Sequence, residues 1–154
     1  IPTVALANGV AMPLLGLGVW TMPDDETAAN VQTAFASGYR LIDTAAAYQN
    51  ERGVGEAVRA SGLPREEIFV TTKLWNADHG FDSALRAFDD SLARLGLETV
   101  DLYLIHWPVP KKGRAGASWK ALERIHREGR ARAIGVSNFS AAHLDALLAD
   151  AEIV

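Results

Sequence analysis

Apolar residues along this chain fall into two alternating kinds of segment. Short, near-continuous runs at Tyr39–Asp43, Phe69–Lys73, Val100–His106 and Ala131–Val136 have β character, densest at Val100, Leu102, Tyr103, Leu104 and Ile105. Longer stretches with helical periodicity lie between and after them: Ala28–Ser37, Glu51–Ala60, Asp82–Leu95 with apolar residues at 85, 88, 92 and 95, and Ser118–Arg127. Strands without polar alternation are those covered on both faces. Helices of this length between them imply βαβ crossovers and a parallel sheet.

Turn residues sharpen the boundaries. Thr3–Leu6 and Val10–Met12 flank Ala7-Asn8-Gly9, and Asn-Gly supplies the positive φ angles of a tight hairpin turn. Leu14–Val19 is expected to follow as a first buried strand. Asp24-Asp25-Glu26-Thr27 places acidic residues at a helix start, where the helix dipole favours them. Gly38, Gly62, Gly96 and Gly129 close successive helices, and Ser140 caps a last one through Leu148. The result is a hairpin and about five β/α units in one domain, 1–154, with no linker or repeat.

Two architectures accommodate such units. A doubly wound sheet signals its phosphate site with Gly-x-Gly-x-x-Gly at a strand-to-helix turn. Here Gly16-Leu17-Gly18 is followed by Val19-Trp20-Thr21, with no third glycine, so that reading is set aside. A (β/α)8 TIM barrel places its chemistry at the C-terminal ends of several strands, which is where polar residues cluster here. Five units are too few to close such a barrel.

Composition narrows the function. With 154 residues, 49% of them hydrophobic, the chain can bury a core, and a net charge of −4 argues against a nucleic-acid surface. No apolar run reaches the ~18 residues of a membrane span. Ile1-Pro2-Thr3 carries no basic n-region or signal core, and it lacks an initiator Met, so the true start is expected further upstream. The absence of cysteine excludes disulfides, Cys-bound zinc and thiol nucleophiles, and fits a cytoplasmic protein. No ligand spacing for a metal is present.

Four strand ends carry the candidate chemistry: Leu41-Ile42-Asp43-Thr44-Ala45-Ala46-Ala47-Tyr48, Thr71-Thr72-Lys73-Leu74-Trp75, Leu104-Ile105-His106-Trp107-Pro108 and Gly135-Val136-Ser137-Asn138-Phe139. A free phenol is a poor acid near neutral pH. A nearby ammonium favours the phenolate, and a carboxylate can hold that ammonium. Tyr48, Lys73 and Asp43 are the residue types this requires, and His106 could orient a carbonyl oxygen. No side chain donates hydride, so carbonyl chemistry here implies a nicotinamide cofactor. Ser137 and Asn138 could bond its carboxamide, and Trp20, Trp75 and Trp107 could wall an apolar pocket with His106.

With Met12-Pro13-Leu14-Leu15-Gly16-Leu17-Gly18, Gly38-Tyr39-Arg40-Leu41-Ile42-Asp43-Thr44-Ala45 and Tyr48-Gln49-Asn50-Glu51, these motifs resemble the aldo-keto reductase superfamily. Within it, the chain is similar to the bacterial 2,5-diketo-D-gluconate reductase-like branch, from about residue 3 to the last. The resemblance implies a (β/α)8 barrel of which this is the N-terminal part, a monomer when whole, reducing aldehydes, ketones or diketo sugar acids. It implies NADPH as cofactor, with NADH possible. Tyr48 would be the general acid, Lys73 and Asp43 its tuning residues and His106 the carbonyl-orienting group. Asp43, Ser137 and Asn138 would touch the cofactor, and Trp20, Trp75 and Trp107 the substrate. Glu152-Ile153-Val154 falls where the family's sixth strand should begin, so the chain is expected to be part of a longer protein. The alternatives are a truncated half-barrel that self-associates through its open edge and a non-catalytic binding or structural protein on the same scaffold.

Other readings are structural. His79, His126 and His143 are expected to be packed or solvated, Gly53-Val54-Gly55 to mark close helix packing, and Glu123–Arg132 to form a solvated helix face and turn.

Overall fold

The computed structural model describes all 154 residues, Ile1–Val154. Strands β1 (Thr3–Ala5) and β2 (Ala11–Pro13) form the antiparallel hairpin, with Thr3 opposite Pro13. Gly9 at φ 83° lets the Asn8-Gly9 turn close. The main sheet has five parallel strands in sequence order: β3 (Gly16–Gly18), β4 (Leu41–Asp43), β5 (Phe69–Leu74), β6 (Val100–Ile105) and β7 (Ala131–Val136). Helices α1 (Asp24–Ala36), α2 (Glu51–Ala60), α3 (Phe81–Leu95), α4 (Ala115–Arg127) and α5 (Ala141–Leu148) connect or follow them. Each of α1 to α4 packs beside the next, so the helices form one layer against the sheet.

The core lies between these layers. Val31, Phe35, Val54, Val58, Phe88, Leu95, Leu122 and Ile125 from the helices meet Ile42, Val70, Tyr103 and Ile105 from the strands. β5, central in the sheet, is buried at all six positions, as its unbroken apolar run predicts. No helix is long and apolar enough to cross a membrane.

Three expectations need correction. Leu14–Val19 is not a buried strand: only Gly16–Gly18 pairs, on one side alone, at the sheet edge. Leu14 and Leu15 are 62% and 54% exposed. The last helix-rich segment is not simply solvated. Glu123 is fully buried and accepts hydrogen bonds from the Glu152 and Ile153 N–H groups at 2.6 and 3.0 Å, beside buried Ile125 and Ala131. Burial alone would push the Glu123 carboxyl up, but these two N–H groups and Lys120 outweigh it and hold its pKa below the usual range. Finally, α4 begins at Ala115, three residues before Ser118.

Gly53-Val54-Gly55 does mark close packing. A Cβ at Gly53 would lie 2.6 Å from the Asp24 carbonyl oxygen, and one at Gly55 would overlap the Leu95 carbonyl. α2 can therefore nest against both α1 and α3.

Positive-φ residues divide between the two ends of the sheet. Each helix-to-strand turn uses a glycine: Gly38, Gly62, Gly96 and Gly129. The four non-glycine residues at positive φ (Thr21, Gln49, Val109 and Asn138) all follow the C-terminal ends of strands. L-residues reach this region only at a cost of about 1–2 kcal/mol. That end of the sheet holds the candidate site.

Candidate active site

β4 and β5 pair so that Asp43 lies opposite Thr71, and β5 and β6 so that Lys73 lies opposite Leu104. This register brings the strand-end residues together. Lys73 is only 5% exposed, and its ammonium donates to Asp43 Oδ1 at 2.6 Å and to the Thr44 carbonyl at 2.9 Å. It also lies 3.4 Å from Tyr48 Oη and 4.9 Å from the centre of the Tyr48 ring. A buried ammonium is tolerated when a carboxylate and a carbonyl replace its water. Tyr48 sits in a single turn of 3-10 helix, Ala46–Tyr48, that closes on Gln49 in the left-handed conformation.

His106 begins the loop after β6. Its backbone N–H donates to the Leu74 carbonyl, which extends the β5–β6 pairing to the ring. The imidazole meets Tyr48 edge-on at 5.6 Å and Trp75 edge-on at 5.3 Å, and it stacks on Trp107 at 6.4 Å. Burial, and then the Lys73 ammonium, lower its pKa, with Asp43 opposing. The ring is therefore held neutral near pH 7. Nδ1 is buried without a partner, which leaves Nε2 as the ring atom available to the cleft.

These side chains open onto a cleft of about 920 Å³, lined by Tyr48, His106, Trp20, Trp75 and Trp107, with Gln49, Arg52 and Arg94 further out. Trp20 stands at the rim, 73% exposed, and Trp107 is 44% exposed. The three indoles, the Tyr48 phenol and the His106 imidazole thus share the lining with charged groups of Asp24, Glu51, Arg52, Asp78 and Arg94, a mixture of apolar wall and polar groups suited to a small molecule.

Ser137 and Asn138 follow β7 and do not line that cleft. They join the site through the Asn138 Nδ2 group, which donates to the His106 carbonyl at 2.9 Å and to Ser137 Oγ at 3.1 Å. Both amide hydrogens are thereby used. What remains is one hydroxyl O–H donor and one amide C=O acceptor, the complement of a carboxamide's C=O and NH2. The residues present fit a nicotinamide group on that test. No cluster of His, Asp and Glu is arranged to hold a metal ion.

Sequence reasoning passed over two buried polar residues behind the site. Asn50 accepts from Thr44 Oγ1 at 2.7 Å and donates to the Val19 and Met22 carbonyls at 2.8 and 3.0 Å. Glu51 accepts from Thr72 Oγ1 at 2.7 Å and from Arg94 at 2.7 Å, tying α2 to β5 and α3. Their one sequence signal was their place two and three residues after Tyr48. His79, expected to be either packed or solvated, is buried, and both ring nitrogens lack partners. Burial and the Lys112 charge lower its pKa, against the Trp107 backbone and Asp78.

The chain belongs to the aldo/keto reductase family, whose model matches residues 11–154. It is 56% identical over 153 residues to morphine 6-dehydrogenase of Pseudomonas putida, covering 99% of this chain and 52% of that protein. To glyoxal reductase of Bacillus subtilis it is 52% identical over 152 residues, covering 98% and 54%. The chain thus spans about half the length of the curated relatives it matches. Among solved structures, an aldo/keto reductase from Brucella melitensis superposes with a TM-score of 0.97 at 49% identity, over all of this chain and 60% of that one. A Bombyx mori aldo-keto reductase in complex with NADP superposes at 0.91 and 38% identity, over 99% and 55%. The parallel β/α units are therefore those of the family's TIM barrel, present over about half its length.

Proposed function

We propose that the protein reduces aldehydes and ketones to alcohols with a nicotinamide cofactor, NADPH by preference. The observation that carries this is the convergence of Lys73 on Asp43, the Thr44 carbonyl and Tyr48 Oη, directly beside His106 and an aromatic cleft. A reduced nicotinamide would supply the hydride when bound; Ser137 and Asn138 would hold its carboxamide, and Asp43 would contact its ribose.

The chain's own residues perform the rest. Trp20, Trp75 and Trp107 offer the substrate apolar surface beside the carbonyl. Neutral His106, donating from Nε2, orients the carbonyl oxygen toward Tyr48. As the carbon gains hydride, the oxygen takes the proton of Tyr48 Oη, and the phenolate left behind is stabilised by the Lys73 ammonium. Asp43 keeps that ammonium in place and balances its charge. A proton from solvent then restores the phenol. Relatives named for glyoxal reduction and morphine 6-dehydrogenation support carbonyl–alcohol exchange as the reaction class.

Removing the proton donor tests this reading. Tyr48→Phe should lower turnover of a broad carbonyl panel by ~10²–10⁴-fold, the ordinary worth of a positioned acid. Full turnover by that variant would remove Tyr48 from the mechanism. Cofactor binding without turnover by the parent protein would favour a binding role instead. The same reading makes residues 1–154 part of an eight-unit barrel. An intact mass about twice 16.6 kDa would support it, and 16.6 kDa would refute it.

A further inference from the structure

Trp20 poses a problem of placement. It is 73% exposed, so packing against neighbours cannot fix where it stands over the cleft. Its backbone must do so, and that backbone is an irregular turn, Val19 to Met22, closed by Met22 N–H donating to the Val19 carbonyl at 3.0 Å. Thr21 within it is held at φ 66°, a conformation that needs outside support in a non-glycine residue.

The support comes from Asn50. Its side-chain amide is fully buried and spends both N–H groups on this turn, one on the Val19 carbonyl and one on the Met22 carbonyl. Its oxygen accepts from Thr44 Oγ1, and the Thr44 carbonyl in turn accepts from the Lys73 ammonium. One amide thereby registers the turn carrying Trp20 against the strand end that seats Lys73. Aspartate in its place would face both carbonyls with a carboxylate; alanine would take one of two donors from the Val19 carbonyl and leave the Met22 carbonyl without the amide that pairs it.

We infer that Asn50 is a positioning residue that fixes Trp20 at the rim of the cleft that Tyr48 and His106 also line, and so sets the size of carbonyl substrate the cleft accepts. The inference rests on the reductase reading for its substrate part, but the placement of the turn stands apart from it. Two measurements separate them.

The first is amide hydrogen exchange of the Val19–Met22 segment, followed by mass spectrometry in the parent and in Asn50→Ala. Exchange there should rise by at least about tenfold, the local effect of losing buried hydrogen bonds, while α3 and β6 stay protected. Should Asn50→Ala not fold, Thr44→Val frees the amide oxygen from its donor and should raise exchange in the same segment to a smaller degree. Unchanged exchange in the folded variant overturns the inference.

The second is the KM for a bulky ring ketone and for a small aldehyde. In Asn50→Ala, KM for the ketone should rise about tenfold more than KM for the aldehyde, and the difference should vanish in a Trp20→Ala background. Equal shifts for both substrates, or a difference that survives loss of Trp20, would refute the specificity role. A protein that turns over no carbonyl but shows the exchange change would sink the reductase reading alone.

Discussion

Replacing Gly55 by alanine tests the packing that sets α2 against α3, and hence the base on which the Tyr48 loop rests. A glycine-to-alanine change inside a helix ordinarily stabilises by about 0.5–1 kcal/mol. Here the added carbon would overlap the Leu95 carbonyl oxygen and lie 2.5 Å from its carbonyl carbon. Normal carbon–carbon contact is near 3.5–4.0 Å, so the helices must part by roughly 1 Å. Overpacking of this kind costs about 1–3 kcal/mol. The Leu95 carbonyl also accepts a hydrogen bond from Arg59, whose disturbance adds about 0.5–1.5 kcal/mol. Less the ordinary gain, the net expectation is a loss of about 0.5–4 kcal/mol, centred near 2 kcal/mol. In urea unfolding that is a midpoint lower by roughly 1 M, and in a thermal melt a Tm lower by roughly 3–10 °C. Gly116, in the first turn of α4, has nothing within 4 Å of its would-be Cβ. Gly116→Ala should therefore move the midpoint the other way, by up to about 1 kcal/mol. If Gly55→Ala stabilises as Gly116→Ala does, the close approach of α2 and α3 is wrong.

Two further outcomes follow from the buried polar groups. Thr72→Val keeps the shape of β5 but strips the Glu51 carboxylate of the hydroxyl 2.7 Å away, and should cost about 1.5–3 kcal/mol in urea unfolding, with Thr72→Ser close to the parent. Unchanged stability in Thr72→Val would mean that Glu51 finds water instead. His79 and His106 both have folded pKa values below their ordinary 6.5, chiefly through burial. The unfolded chain therefore binds protons that the fold refuses, and stability should fall as pH drops from about 6.5 toward the folded values. His79→Phe should flatten part of that slope in melts across pH 5–7. A parent whose Tm is level across that range would contradict the burial of both rings.

Much of this architecture was legible because its signals are local. Asn8-Gly9 fixes a hairpin within four residues, and Gly38, Gly96 and Gly129 stop helices where their positive φ is needed. The run Phe69–Leu74 declares a strand buried at every position, and Val100–Ile105 one whose Leu102 and Leu104 are half-buried. Misreadings arose where partners are distant in sequence. Leu14 and Leu15 look like strand core, but whether they are buried depends on what lies beyond β3. Glu123 reads as a solvated helix residue, yet its Oε1 is paired by main chain 29 and 30 residues away, and Lys120 stands 3.4 Å from Oε2. Asn50 and Glu51 look like an ordinary helix start, and their roles emerge only when β3, β4, β5 and α3 converge on them. The strand-end residues Asp43, Tyr48, Lys73 and His106 were named from chemistry and motif. Their mutual distances could come only from the register of β4, β5 and β6.

The partition of left-handed backbone between the two ends of the sheet bears on how such a chain can diversify. Where Gly38, Gly62, Gly96 and Gly129 turn helices into strands, a substitution is judged by folding alone, and most are eliminated. At the opposite end, Thr21, Gln49, Val109 and Asn138 each lie within two residues of Trp20, Tyr48, Trp107 or Ser137. A mutation to glycine there relaxes the backbone while unfastening a loop beside the candidate site, so tolerance to heat and choice of ligand need not rise together. Laboratory evolution for new substrates should therefore collect its changes at that end, and selection for thermostability should leave it alone.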